Sequence, residues 1–232
     1  RFVEVCMNQI AKKLLLCVGI LSVTMVSGCS SDDSSKKKET AKNEEKAEVK
    51  MVANDLYVEP LNPTQAQIEA YNKLSQAITS EDRKEEATMV AVSFAFDFFT
   101  LSNKEDAQDL GGLQFIPSDK IRNFMEFAQA YYYGNYPTIV NEYGKKSLPE
   151  VSGYKVDAVE AKDFTYNGSA CRGYDVKLTL TYAETEVESL KKSMTISVIE
   201  IQDYEYDRTK NYKKDVIYDG EMKNVYRVLA VE

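Results

Sequence analysis

Apolar residues along this chain change their spacing once, near residue 152, and that switch limits the fold more than any motif does. Before it, apolar side chains recur every three or four residues, the repeat of a helix with one buried face. After it they alternate with polar ones, the repeat of a strand with one dry face. Helical patterning followed by alternation predicts an α+β domain, with helices packed on an antiparallel sheet.

Three helices are expected. Asn62-Pro63-Thr64-Gln65 is a start signal, with Asn62 as cap, and Ile68, Tyr71, Leu74 and Ile78 follow at helical spacing. Ser80 opens a second helix, with Glu81 and Asp82 at its positive end. Met89, Val90, Val92, Phe94, Phe96, Phe98, Phe99 and Leu101 surround most of that helix, which places it centrally. Its one polar stripe is Ser93, Asp97 and Thr100. Such a stripe either lines a ligand cavity or faces water and caps backbone groups, and the second reading is preferred.

A third helix begins at Pro117-Ser118, with Ile121, Phe124, Met125, Phe127, Ala128, Tyr131 and Tyr132 on its apolar face. Gly134 ends it, and Tyr136–Tyr143 adds a short helical turn. Tyr131 and its two neighbours could stack on a sugar, but at this spacing they read as core and rim.

Four strands follow. Tyr154–Tyr166 carries an irregularity near Val159, and Asn167-Gly168 is a strong hairpin signal. The second strand alternates through Tyr174, Val176, Leu178, Leu180 and Tyr182. The third covers about Lys192–Tyr204 and the last Val225–Val231, after a turn at Asp219-Gly220. The predicted architecture is three N-terminal helices on a curved, cone-like four-stranded sheet.

The front of the chain has a different composition. Lys12 and Lys13 precede the apolar run Leu14–Leu21, and Ser27-Gly28 precede Cys29, the tripartite pattern of a secretory signal. Arg1–Cys6 precede Met7 and read as translated upstream sequence. Val26-Ser27-Gly28-Cys29 resembles the lipobox of bacterial lipoproteins. That resemblance implies cleavage before Cys29, acylation of its thiol, and attachment to the extracytoplasmic face of the cell membrane. The next residues, SSDDSSKKKETAKNEEKAEVK, have too little apolar surface to offset the entropy of ordering. The expected organisation is therefore a signal over 1–28, a lipidated cysteine and spacer over 29–60, and one α+β domain over 61–232.

Charge and composition narrow the function. Residues 1–28 contribute Arg1, Lys12, Lys13 and Glu4; without them 26 basic and 36 acidic residues remain, a balance of −10. A body this acidic repels phosphate backbones, so no nucleic-acid partner is expected. The chain has no histidine. Serine and cysteine triads and the usual zinc sites therefore lack a required member. No GxxxxGK[ST] or GxGxxG loop occurs, and no DxDxDG calcium loop. No cofactor, metal or catalytic residue is assigned. Cys171 is the one cysteine after Cys29, and reads as a small buried hydrophobe. Acidic pairs such as Asp106/Asp109 and Asp203/Asp207 keep a carboxylate-based enzyme open as a minor alternative. The stretch Asp203–Asp215, DYEYDRTKNYKKD, alternates charge with tyrosine and suits a protein-contact surface as well as it suits a plain exposed hairpin.

The order of three helices and four strands over residues 64–232 resembles the nuclear-transport-factor-2-like superfamily, and within it extracytoplasmic domains of conjugation and type IV secretion components. The Asp–His pair of that superfamily's enzymes has no counterpart here. The lipobox resemblance, the spacer and the lack of a catalytic constellation together lead to the expectation of a non-enzymatic, membrane-bound lipoprotein with a binding or interaction role in an envelope complex. A small-molecule binder with an aromatic cavity between helices and sheet is the alternative.

Overall fold

The computed structural model describes residues 49–218 and 220–232. The signal, Cys29 and most of the spacer lie outside them, and so does Asp219 of the expected turn. The described chain is α+β: helices α1 (Gln65–Thr79), α2 (Arg83–Phe99), α3 (Ile121–Tyr131) and α4 (Tyr136–Tyr143) precede strands β1 (Val151–Tyr166), β2 (Ser169–Tyr182), β3 (Ser193–Asp203) and β4 (Lys223–Val231). The strands form one antiparallel sheet in sequence order. No described helix is long and apolar enough to cross a membrane.

Helix starts differ from expectation by two residues. Thr64, not Asn62, caps α1: its hydroxyl accepts the Gln67 N–H while Gln67 Oε1 accepts the Thr64 N–H at 2.8 Å. That reciprocal pair satisfies two backbone donors at once, which a lone Asn62 cap cannot. Asp82 rather than Ser80 caps α2, accepting the Glu85 N–H at 3.0 Å, and Ser80 closes α1. Between the helices Glu81 takes a left-handed conformation, φ 55°. Pro117-Ser118 opens a single 3-10 turn, and α3 proper begins at Ile121.

α2 is central because it is buried on nearly every side. Residues 86–96 are all buried, and the helix touches all four strands as well as α1. Phe94 and Phe98 meet Phe124 of α3, while Phe96 meets the Tyr154 ring edge-on at 5.8 Å. The opposing sheet face supplies Val176, Leu178, Leu180, Met194, Ile196, Val198, Tyr226 and Val228, all buried.

The other sheet face is wet along β1 and β2, where Lys162 pairs with Asp175 at 2.7 Å and Lys177 with Glu160 at 2.9 Å. Asn167 and Gly168 take φ 49° and 80°, the left-handed pair that a two-residue hairpin of the right twist requires. The register slips between Val156 and Ala158, close to the expected irregularity.

The folded body begins before residue 61. Val52 bonds α1 through Asn72 and Ser75, and Tyr71 donates its hydroxyl to the Tyr57 carbonyl at 2.6 Å. Tyr57, 2% exposed, sends its hydroxyl to the outer edge of β4. There it donates to the Tyr226 carbonyl and accepts the Tyr226 N–H, both at 3.0 Å. A side chain thus takes the place of a fifth strand, covering a peptide group that an edge strand would leave open. Residues 51–60 are a docked strap, not spacer.

Candidate functional site

The polar stripe of α2 leads inward, and each member has a different surrounding. Thr100 is fully buried and its hydroxyl accepts the Val151 N–H at 3.2 Å, fixing the start of β1. Asp97 accepts the Lys104 ammonium on Oδ1 at 2.8 Å and the Gly112 N–H on Oδ2 at 2.7 Å. Lys104 is 5% exposed, so this is an ion pair largely removed from water. Ser93 faces a cavity of about 10 Å3 shared with Pro60, Gln67, Tyr71, Phe96, Asp97, Gln114 and Phe115. That volume is at the lower limit for one water molecule and far from ligand size.

Why the chain folds this way at Asp97 is visible in Gly111-Gly112. A Cβ on Gly111 would lie 1.9 Å from the Asp97 carbonyl oxygen, and Gly112 has φ 80°. Only a glycine pair lets the loop cross the end of α2 this closely. Tyr133 completes the crossing: its buried hydroxyl accepts the Gly111 N–H at 3.0 Å and donates to the Phe98 carbonyl at 2.8 Å. Burial pushes the Tyr133 phenol well above its ordinary pKa, so it stays a donor.

Tyr131 is 43% exposed and lies against Phe127, ring centres 4.5 Å apart, while Tyr132 stacks on Phe98 at 5.0 Å. The three consecutive tyrosines therefore point to rim and core and form no common platform.

A hollow of ligand size lies elsewhere. An open surface cleft of about 690 Å3 runs between α4 and the preceding loop, lined by Asp106, Gln108, Tyr136, Pro137, Val140 and Asn141. Tyr136 forms its floor and donates to the Lys104 carbonyl at 2.8 Å, which ties the cleft to the Asp97–Lys104 pair. Sequence reasoning missed this cleft, since only the α4 residues carried an apolar signal.

The acidic pairs serve the backbone. Asp106 and Asp109 accept the N–H groups of Gln108 and Glu105 at 2.6 and 2.9 Å. Asp203 is buried against Arg227 at 2.8 Å, and the same oxygen accepts the Ser118 N–H at 3.1 Å. The remaining Arg227 contacts are the Tyr204 carbonyl at 2.9 Å and the Tyr57 ring. In the Asp203–Asp215 stretch the tyrosines turn inward: Tyr212 is 5% exposed and stacks on Tyr206.

Asp119 binds the hairpin tip, taking Tyr166 OH and Asn167 Nδ2 on its carboxylate. Burial raises the Asp119 pKa, but the hydrogen bonds from Lys120, Tyr166 and Asn167 outweigh it and hold the carboxyl below its ordinary value. Cys171 is a half-buried thiol without a disulfide, and burial raises its pKa. Among the described residues no group of three His, Cys, Asp or Glu side chains is arranged to hold a metal ion. No protein family, curated protein or solved structure matches this chain.

Proposed function

We propose that this protein is a lipoprotein, anchored through an acyl chain on Cys29 to the extracytoplasmic face of a cell membrane, and that its body is a non-enzymatic binding module of an envelope complex. The observation that carries the anchor is the run from Lys12-Lys13 through Leu14–Leu21 to Gly28-Cys29. The reading of the body rests on what its polar groups already do. Asp97, Asp106, Asp109, Asp119 and Asp203 are each engaged by a backbone N–H or a side chain that orders the fold. The four-stranded antiparallel sheet with helices on one face supports a nuclear-transport-factor-2-like, cone-shaped domain.

The open cleft beside Tyr136 and Val140 is the surface to which binding is assigned. Its openness suits a protein segment better than an enclosed metabolite, because small-ligand sites bury most of their ligand. A small-molecule role at Ser93, Asp97 and Thr100 is disfavoured by the 10 Å3 cavity there.

Two measurements test these readings separately. Labelling with radioactive palmitate in the cell is expected to mark the protein, and Cys29→Ser is expected to abolish the label and release the body from membranes. An intact N-terminus upstream of Cys29 on the membrane-bound protein overturns the anchor. A photo-crosslinker at Val140 is expected to give one discrete adduct; a protein that stays uncrosslinked in cells overturns the binding role of the cleft.

A further inference from the structure

We infer that one water molecule is a fixed part of this fold, bound between Ser93 and Gln114 beneath the strap. Both side chains are more than nine-tenths buried, and both line the 10 Å3 cavity. Ser93 Oγ and Gln114 Oε1 have no hydrogen-bond partner among protein atoms. Two observations make these orphans specific.

The first concerns the helix. A buried helical hydroxyl ordinarily satisfies itself on the carbonyl four residues back. Thr88 does this, donating to the Lys84 carbonyl at 2.8 Å. Ser93, on the same helix as Thr88, does not. Its hydroxyl is left facing the cavity.

The second concerns the amide of Gln114. Its Nε2 donates to the Val58 carbonyl at 3.0 Å, which fixes the orientation of the group and leaves Oε1 as the acceptor on the cavity side. A donor must reach that oxygen, and no protein donor does.

A water molecule matches the site in size and in hydrogen-bond sense. The cavity meets the requirement of about 10–15 Å3 for one water, and two to four polar partners are what a buried water takes. Ser93 Oγ–H donates to the water. The water donates a proton to Gln114 Oε1, and Asp97 lines the same cavity. The water then joins α2 to the 3-10 turn Leu113–Phe115, whose Gln114 in turn holds the strap at Val58. Nothing larger than water fits, which separates this site from the cleft proposed for partner binding.

The test uses the full-length chain and its Ser93→Ala variant. Alanine keeps α2 helical, so the variant remains folded. Solution NMR is expected to show a cross-peak between a long-lived water and the Ser93 β-protons or the Gln114 side-chain amide, lost or weakened at least several-fold at Gln114 in the variant. A high-resolution crystal structure is expected to place one density peak within hydrogen-bond distance of both atoms. The inference is overturned by a dry cavity in the folded wild type, by a direct bond of Ser93 Oγ to the protein, or by a water signal at Gln114 that Ser93→Ala leaves unchanged.

Discussion

Asp97 Oδ2 accepts the backbone N–H of Gly112 at 2.7 Å, across fifteen residues of sequence, while Oδ1 holds the Lys104 ammonium. One carboxylate near the end of α2 thereby closes the whole 104–112 loop, and Tyr136 below it carries that order to the cleft. Two of the three stripe residues, Asp97 and Thr100, accept backbone N–H groups and so work as an internal brace.

Removing the brace has a calculable cost. Asp97→Ala leaves a largely buried ammonium without its partner, and breaking such pairs costs about 3–5 kcal/mol. Asp97 retains some exposure, so the lower end is expected. Replacing both partners, Asp97→Ala with Lys104→Met, removes the uncompensated charge and should recover a large part of the loss. Denaturant midpoints of the three proteins check this. A double variant no more stable than Asp97→Ala would mean that the Gly112 bond, not the ion pair, carries the effect.

Gly111 and Gly144 make a contrasting pair. A Cβ on Gly111 collides with the Asp97 backbone, whereas one on Gly144 meets nothing within 4 Å and suffers only from its φ of 83°. Gly111→Ala is expected to cost about 3 kcal/mol or more through displaced backbone, and Gly144→Ala, at φ 83° and ψ 159°, about 1–3 kcal/mol through conformation alone. Equal losses in thermal unfolding would contradict the close crossing at Asp97.

The Arg227–Asp203 pair is the most buried charge interaction described, with side chains 2% and 6% exposed. Asp203 also accepts the Ser118 and Tyr204 N–H groups, which brings together the start of α3, the end of β3 and β4. Asp203→Ala is therefore expected to cost about 3–5 kcal/mol, and to raise amide exchange first at Ser118 and Tyr204. Loss of stability with protection at both amides unchanged would show that only the charge pair matters.

How far the sequence could be read depended on the range of the interaction. The hairpin at Asn167-Gly168 was legible because two adjacent residues determine it. The strands were legible from alternation, and the core helix from its apolar circumference. Cap positions were not: Asn62, Thr64, Ser80 and Asp82 are all good caps, and only the bonds between Thr64 and Gln67 and between Asp82 and Glu85 decide among them. The partners of Asp97 lie 7 and 15 residues away, in a loop with no periodic signal. The strap was hidden because its polar neighbours resemble the spacer, and Tyr57 acts through one hydroxyl on a strand edge. A signal for the buried pair did exist, in the form of Arg227 standing between Tyr226 and Val228. Its partner Asp203 was not legible, because the β3–β4 register sets Arg227 opposite Ile199 and Asp203 opposite Lys223.

Glu86 gives a pH signature of opposite sign to ordinary acid denaturation. It is 1% exposed, Arg83 binds one of its oxygens, and Oε1 has no partner. Burial raises its pKa above the ordinary 4.5, against the attraction of Arg83, and Glu200 adds to the rise. Arg83 is itself shared with Glu200 at 2.7 Å and lies over the Tyr226 ring, so it compensates Glu86 only in part. With the folded pKa above the unfolded one, the native state holds the proton more tightly. The contribution of Glu86 to stability is then greatest below its ordinary pKa and falls as pH rises through the raised value. Glu86→Gln keeps a neutral amide of the same shape and can still accept from Arg83. The variant should match the wild type near pH 4 and gain on it steadily towards neutral pH, where the difference levels off. Unfolding free energies measured across that range decide the matter: a difference that is constant with pH, or that grows towards acid, contradicts a carboxyl that favours its protonated form.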